Sequence, residues 1–599
     1  AVEVEGHREW GQPSFGFLNY FHPEVNRLIT EHFRRTARAY RDSPALLGYD
    51  VFNETMFRSF DPWTMEEFRS WLREKYSTIG RLNAVWERTC TDFAQVRYER
   101  HKWMSIMPEA DYAAFRKEAV TRFLRNWCDA VRQEDKDHRI IADNIHSMVT
   151  LCGDYDRPQD DYRLRQAVDE IGMSFYPKGV GTLMEPAQRW QIFEGMFDAS
   201  GREGFLISEM LTNIQALFNP DTAVRPCELK QWCMEGVAHG ARGLIYWMWR
   251  PFRKGLQTLG RGLVDYRNRP TERLAAAEEI GRLIRETGQV TPVRAEAAIV
   301  YEDICEDFQR LYTQAYDVDQ NLYLRSVYGA YRAMFDLNIG CDIVRLREIP
   351  GYRVVILTNH IVLDEADAVL LRAYVEAGGI LIIDGKFGIC GRTSLAHQRL
   401  PGGPFYPMMG EDLTDSDYEG LTFTWTDAAS GRIPVKGCYG RELVSVTDGE
   451  VLARFEDGYP AVVRRSAGRG TAGSTGCGPA DHCNAGNHAG AVITVNTFLW
   501  YGYALTADET QAAFAKALLG DLGVRTKGSN PAVKLKAGTG QKGVVLFAFN
   551  YTDEEQETEY EDGQHRMTIS VAPQEVEILL WEGMRERTDS GTEAGEKEA

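Results

Sequence analysis

Two glutamates that close apolar runs are the residues of this 599-residue chain best placed to do chemistry. Ala45–Glu54 reads ALLGYDVFNE, and Gly204–Glu209 reads GFLISE. An apolar run ending in an acid reads as a buried parallel strand that carries a carboxyl group to the end of a sheet where α/β proteins keep their sites. Two such carboxyls about 5–5.5 Å apart can cleave a glycosidic bond with retention, one protonated to donate to the leaving oxygen, the other ionised to attack the anomeric carbon. Environment keeps the two roles apart, since the donor needs a raised pKa and the nucleophile needs hydrogen-bond donors around it. Tyr176 closes the apolar run before Glu209 and can supply such a donor, while Asn53, beside Glu54, can hold a sugar hydroxyl. Asn144 closes another run at the same end, and His146 follows it, although a lone histidine there is more often structural. Trp247 and Trp249 lie two apart, which on a strand puts them on one face, with Trp249 nearer the end and suited to stacking on a sugar ring. Each residue also has an ordinary reading, a solvated glutamate or a core tyrosine with a satisfied hydroxyl.

The elements that must position them alternate between helix and strand. Residues 24–41 carry apolar residues at helical spacing and precede the turn Asp42-Ser43-Pro44. After Glu54, helices are expected over Met65–Tyr76, Ile79–Trp86 and Asp111–Gln133, then strand Arg139–Asn144 and a helix at Tyr162–Val168. Strands Glu170–Phe175 and Gly204–Ser208, helix Pro226–His239, strand Gly243–Trp249 and helix Pro270–Thr287 complete the series. This is an α/β chain in which five strands each hand on to a helix. A closed (β/α)8 barrel needs eight, so a barrel reading leaves three units of about 30 residues absent from the front; an open five-stranded sheet is the alternative. From Ala297 a second, smaller parallel α/β unit begins, with the runs AAIVYE, CDIVRL, VVILTN and ILIIDG and a helix over Asp364–Ala377 stopped by Gly378-Gly379. Period-two patterning over 421–463 implies a β-rich insertion, Gly468–Gly490 a loop, and Thr506–Leu522 a closing helix. Strands at Ala532–Leu535, Gly543–Asn550, Glu555–Glu561, Met567–Val571 and Glu575–Trp581 read as a small antiparallel β-sandwich, and 584–599 as a disordered charged tail.

Composition is globular, with 44% hydrophobic and 26% charged residues, and the length implies three or four domains. The net charge of −19 excludes nucleic acid and an anionic membrane surface as main partners and suits a neutral small substrate. With no apolar run of 18 residues and a polar start, Ala1–Trp10, the expectation is a cytoplasmic protein. The 11 cysteines are scattered without a CxxC pair and read as reduced thiols. Cys477 and Cys483 with His482 and His488 do not match a closed zinc site, and Cys390 has no His-x-Glu partner to activate it, so neither metal nor cofactor is expected.

Asn53-Glu54 followed by FRSWLREKYSTIGRLNAVW (Phe68–Trp86) resembles glycoside hydrolase family 42, the β-galactosidases. Asn53-Glu54 resembles the close of that family's fourth barrel strand, EIGMSFYP (Glu170–Pro177) its sixth, ISEM (Ile207–Met210) its seventh and GARGLIYWMWR (Gly240–Arg250) its eighth. The resemblance implies a retaining β-glycosidase on a (β/α)8 TIM barrel of which only strands 4–8 are present. A Rossmann-like, glutaminase-related trimerisation domain and a small antiparallel β-sandwich would follow. By it, Glu54 is the acid/base, Glu209 the nucleophile, Asn53 a hydroxyl ligand and Trp249 a wall of the sugar site. The expected division is 1–290 for the barrel, 291–525 for the trimerisation domain with its insertion, 526–583 for the sandwich and 584–599 for the tail. Expected partners are a small glycoside or oligosaccharide and two further copies in a homotrimer. A second polypeptide would supply the missing strands unless the family's first ~100 residues are simply absent from the chain. The chain departs from the family at Lys254–Gly260, KGLQTLG, where GGxExFHG is usual, so Gln257 replaces an acid that contacts the sugar. Mannoside, fucoside or α-L-arabinopyranoside specificity therefore stays open, as does an inactive sugar-binding barrel. The family's zinc-binding cysteine cluster is also missing, with only Cys90 and Cys128 nearby.

Overall fold

The computed structural model describes residues 2–4, 7–9, 18–54, 59–98, 104–144, 160–179, 182–215, 222–255, 257–316, 318–467, 489–561 and 566–581. His146, the Cys477–His488 cluster and the tail from 584 lie outside the described residues.

Helix α1 (Pro23–Tyr40) opens on a proline, with the His22 ring accepting from the Glu24 amide, and leads into strand β1 (Gly48–Asp50). Helices α2 (Pro62–Tyr76), α3 (Ile79–Trp86) and α4 (Met107–Arg132) precede β2 (Arg139–Asn144). Then come α5 (Asp161–Leu164), β3 (Glu170–Phe175), α6 (Pro186–Ala199), β4 (Phe205–Leu211), α7 (Pro226–Ala238), β5 (Ala241–Trp247) and α8 (Glu272–Thr287). The five strands pair in parallel and in chain order. That order is the order of a barrel wall, whereas a doubly wound sheet crosses back past its first strand. Among the described residues the wall is half a barrel.

The Phe68–Trp86 segment earns its residue types structurally. Lys75 Nζ, the Tyr76 hydroxyl and Trp86 Nε1 all donate to the buried Asp111 carboxylate of α4, at 2.5, 2.6 and 2.7 Å. Phe68 and Leu72 are fully buried on the same helix pair. Three donors on one carboxylate fix α2 and α3 against α4, the helix that feeds β2.

The second unit runs through β6 (Ala297–Val300), α9 (Asp303–Ala315), α10 (Leu322–Asp336), β7 (Cys341–Val344), β8 (Val354–Thr358), α11 (Glu365–Glu376) and β9 (Ile380–Asp384). The insertion holds β10 (Glu411–Asp417), β11 (Thr422–Asp427), β12 (Gly431–Lys436), β13 (Arg441–Val446), β14 (Glu450–Phe455) and β15 (Pro460–Ser466), and β16 (Ala491–Val495) follows. These do not stand apart: nine strands form one sheet in the order β7-β6-β8-β9-β16-β15-β14-β11-β12, parallel as far as β16 and antiparallel beyond it. The expected closing helix over Thr506–Leu522 is α13 (Glu509–Asp521), capped by Asp508, and a further helix α12 (Leu499–Thr506) precedes it and ends at the left-handed Ala507.

In the last unit β17 (Val533–Gly540), β18 (Gly543–Asn550) and a later strand join Thr291–Pro292 in an antiparallel sheet, faced by the hairpin β19 (Gln556–Glu561)–β20 (Arg566–Val571). The later strand is β21 (Val576–Trp581). Buried ion pairs tie the units together. Lys117 of α4 reaches Asp303 and Asp307 of α9 at 2.9 and 2.6 Å. Arg189 holds Glu235 bidentately at 2.7 and 2.8 Å, and Tyr551 of the last unit donates to the same carboxylate at 2.7 Å. Removing one partner of such a pair strands a buried charge and costs about 3–5 kcal/mol. No helix among the described residues is long and apolar enough to cross a membrane.

Candidate active site

Strand parity decides which residues face the inside of the half-barrel. On β2 that residue is Asp143, and on β3 Gly172 and Ser174, with the Ser174 hydroxyl donating to Asp143 Oδ2 at 3.0 Å. Strand β4 breaks parity at the point that matters. Met173 is level with Ile207 but Ser174 with Glu209, so Ser208 is an extra residue in a β-bulge. The bulge brings Glu209 to the position that a regular ladder would give Ser208. Ser208 stays on this face too, and Gly172 makes room for it: a Cβ on Gly172 would lie 2.4 Å from Ser208 Oγ. Glu54 is delivered by a bend beyond β1 with φ of 47°, a left-handed conformation that costs a non-glycine residue on the order of 1 kcal/mol.

Three hydrogen-bond donors meet around Glu209. The Tyr176 hydroxyl donates to its Oε2. The Asn53 amide, turned with its nitrogen toward the acids, donates to Glu209 Oε1 at 3.1 Å and to Asp143 Oδ2 at 3.2 Å. The Ser174 hydroxyl also faces the Glu54 and Glu209 carboxyls and lowers the pKa of each. Among the described residues no lysine or arginine forms an ion pair with Glu54, Asp143 or Glu209.

The electrostatics follow from burial without a cation. Burial raises the pKa of Glu54. Burial pushes Glu209 up to about 7, opposed by the Tyr176 hydrogen bond and reinforced by the charge of Glu54. Asp143 is held well above the usual carboxylate range, first by burial and then by the charges of Asp50 and Glu209, with Ser208 opposing. Burial and the Glu209 carboxylate keep the Tyr176 phenol protonated, hence a donor. Tyr176 and Glu209 are half-buried and Asn53 is exposed, so the cluster opens to solvent on the Asn53 side. Such a site can hold a proton on one carboxyl and an ionised, hydrogen-bonded carboxylate close by.

Of the residues singled out in the sequence, Glu54, Glu209, Asn53 and Tyr176 come together and three do not join them. Asn144 is buried on the opposite face of β2 from Asp143 and donates to Asp161 on the helix layer, so parity removes it from the site. Trp249 lies past the end of β5, where strand alternation no longer holds; it is 58% exposed, in a groove with Leu244, Tyr246 and Leu274 that neither Glu54, Asp143 nor Glu209 lines. Gln257 sits half-buried in the loop near the Phe252–Thr258 bridge, and no hydrogen bond among the described residues joins it to the acids. Asp143 and Ser174 were not anticipated, since the runs IIADN and EIGMSF are apolar on both faces and mark neither residue as inward. In the second unit, burial pushes the Cys390 thiol up to about 11, which leaves it protonated and without nucleophilic character.

Carboxyls of raised pKa converging at the carboxyl ends of a parallel barrel wall, one of them held by a phenol and an amide, define the class as glycoside hydrolase. Two family models match in succession: the one described as Beta-galactosidase (Glyco_hydro_42) over residues 6–287, and Beta-galactosidase trimerisation domain over 295–485. The chain belongs to glycoside hydrolase family 42. It is 24% identical to Beta-galactosidase bgaB of Geobacillus kaustophilus over 498 residues, covering 76% of this chain and 69% of that protein. Beta-galactosidase BglY of Alicyclobacillus acidocaldarius is 23% identical over 96% of this chain and 81% of its own length. Among solved structures, Gan42B, a GH42 beta-galactosidase, superposes with a TM-score of 0.77 at 19% identity over 93% of this chain and 82% of that one. The cold-adapted beta-galactosidase of Rahnella sp. R3 gives 0.76 at 19% identity over 93% and 81%. The barrel family match begins at residue 6, which lends no support to the expected loss of the family's first ~100 residues, and none of these findings supports a second polypeptide.

Proposed function

We propose that the chain hydrolyses terminal β-D-galactosides by double displacement, with Glu54 as general acid/base and Glu209 as nucleophile. The observation that carries the assignment is the unequal supply of donors: Glu209 accepts from Tyr176 and Asn53, whereas among the described residues only Ser174 faces Glu54. Donors favour the ionised form, so Tyr176 and Asn53 hold Glu209 as the carboxylate against the burial that pushes it up to about 7, and Glu54, with fewer donors, is assigned the acid. In the first step a Glu209 oxygen bonds to the anomeric carbon as the glycosidic bond breaks, and the Glu54 proton goes to the leaving oxygen. In the second, Glu54 takes a proton from water, which attacks the anomeric carbon and releases Glu209. Tyr176 fixes one oxygen of the nucleophile, and Asn53 stands where the sugar hydroxyl next to the anomeric carbon arrives. A neutral Asp143 holds Asn53 and Ser174 without adding a second negative charge beside Glu209. The galactoside reading is supported by the names of the relatives, and the matched trimerisation domain supports a homotrimer with the domain division 1–290, 291–525 and 526–583.

The test is a panel of 4-nitrophenyl β-D-galactoside, β-D-mannoside, β-D-fucoside and α-L-arabinopyranoside, with the wild-type chain, Glu54→Gln and Glu209→Gln. The galactoside should give the highest kcat/KM, and both variants should lose turnover. Preference for another sugar would overturn the specificity, and a wild-type chain silent on every substrate would favour a sugar-binding barrel without catalysis.

A further inference from the structure

We propose that the junction of the three units holds one monatomic anion of chloride size, coordinated by Lys527. A cavity of about 30 Å³ lies where α6, α10 and β17 meet, walled by Glu194, Tyr331, Phe335, Lys527, Lys534 and Lys536. That volume takes one or two water-sized groups and is too small for a tetrahedral oxyanion.

Three ammonium groups around so small a space need explaining. On β17 alternation sends Val533 and Leu535 into the last unit's own core and Lys534 and Lys536 the other way, toward the barrel and the second unit, where each is only 8% exposed. Lys536 is spent on Glu194 of α6. Lys534 donates to the Phe335 and Asp336 carbonyls at 2.8 and 3.3 Å, with its ammonium 4.5 Å from the centre of the Phe335 ring. Lys527 has no such outlet: among the described residues no acceptor lies within hydrogen-bond distance of its Nζ. The ammonium is packed over the Gly340 backbone, where a Cβ would lie 3.0 Å from Nζ.

The carboxylates within range are already engaged. Glu194 has Lys536 and lies 3.4 Å from His239, and Asp342 has the Tyr352 hydroxyl at 2.8 Å, Arg202 at 3.1 Å and the Ala295 amide at 3.2 Å. Glu296 is exposed. The wall carries more ammonium than carboxylate groups, and half-buried Lys527 meets no protein acceptor among the described residues, which leaves its ammonium for solvent or for an anion in the cavity. Desolvation and the charge of Lys536 both lower the Lys527 pKa, as expected for an ammonium in this position. A water would accept the hydrogen bond but leave the charge, whereas a monatomic anion answers both. Bound there, it would tie the second unit at Gly340 to Lys527 and, through Lys536, to α6 of the barrel.

The experiment uses the full chain, melted in sodium gluconate and in sodium chloride or bromide at equal ionic strength, and crystals soaked in bromide. Wild type should melt a few degrees higher with the halide, in a saturable way, since a ligand that binds only the folded state stabilises it by mass action. Lys527→Met should lose that dependence while melting within a few degrees of wild type in gluconate, since Lys527 is half-buried and gives up no protein hydrogen bond among the described residues. Gly340→Ala, which presses on Nζ, should weaken the halide effect at least tenfold in concentration. An anomalous bromide peak should lie within hydrogen-bond distance of Lys527 Nζ. Equal melting in halide and gluconate, an unchanged halide effect in Lys527→Met, or a cavity without bromide density would each overturn the proposal.

Discussion

Replacing Tyr176 with phenylalanine isolates one hydrogen bond. The hydroxyl donates to Glu209 Oε2, the ring is half-buried, and the substitution keeps the ring. A hydrogen bond to a charged group contributes about 1.5–3 kcal/mol. If the bond serves the ionised nucleophile, its loss lowers kcat/KM roughly ten- to 150-fold, at 1.36 kcal/mol per decade. The same bond holds the Glu209 pKa down against the burial that pushes it up to about 7. Because Glu209 must be ionised to attack, activity rises as pH climbs through this pKa, and the acidic limb of the profile reports it. Removing the donor raises the pKa by about one to two units, so the acidic limb of Tyr176→Phe should move up by that amount. The assay is kcat/KM for 4-nitrophenyl β-D-galactoside from pH 4 to 9 for both proteins, with thermal melts as the control for folding. An acidic limb in the same place, with a loss under threefold, would mean that Tyr176 does not act on the nucleophile.

Asn144→Ala should lower the melting temperature, because it removes a buried hydrogen bond to the Asp161 carboxyl, a loss of about 1.5–3 kcal/mol, yet leave KM unchanged. Asp143→Asn, which keeps a neutral oxygen for Asn53 and Ser174, should retain most of the turnover that Asp143→Ala loses; an inactive Asp143→Asn would contradict a protonated Asp143. Gly172→Ala drives a methyl into Ser208 Oγ and should cost about 1–3 kcal/mol of stability together with activity, and Ser208→Gly in the same chain should restore both. Asp384 accepts the Trp500 amide at 2.9 Å, and burial pushes it from 3.8 up to about 7. The folded chain thus keeps a proton that the unfolded chain releases, and stability falls as pH rises between those two values. Asp384→Asn has no proton to lose, so its melting temperature relative to wild type should climb from pH 4 to 7 and then level off; a difference independent of pH would refute this.

The acids of the site were legible because a strand buried on both faces is a continuous apolar run and an acid at its end has few structural reasons to be there. ALLGYDVFNE and GFLISE show this, as does the ordered series of helices between them. What could not be read was how each run is turned. Nothing in IIADN says whether Asp143 or Asn144 faces inward, and only the Ser174 and Asp161 partners decide it. The bulge at Ser208 is set by pairing with β3, a neighbour far away in sequence, so ISE read as a regular strand would place Glu209 one position out of register. Trp249 looked like the partner of Trp247 because alternation was carried two residues past the end of β5. The β-rich insertion was recognisable by its period, but its fusion with the parallel sheet rests on β15 pairing with β16, a contact that no local pattern records. Likewise Lys534 and Lys536 read as the solvated face of a sandwich strand, and only docking against α6 and α10 makes them buried.

The central claim is that Glu209 attacks the anomeric carbon. A 2-deoxy-2-fluoro-β-galactoside with a good leaving group slows release of the covalent intermediate, so the labelled residue can be read by peptide mass spectrometry. The account predicts one fluorogalactosyl group per active chain, on the peptide carrying Ile207-Ser208-Glu209-Met210 and on Glu209 within it, with no label in Tyr176→Phe at low pH where the nucleophile is protonated. An active enzyme that takes the label on Glu54, on Asp143 or on no residue would contradict it.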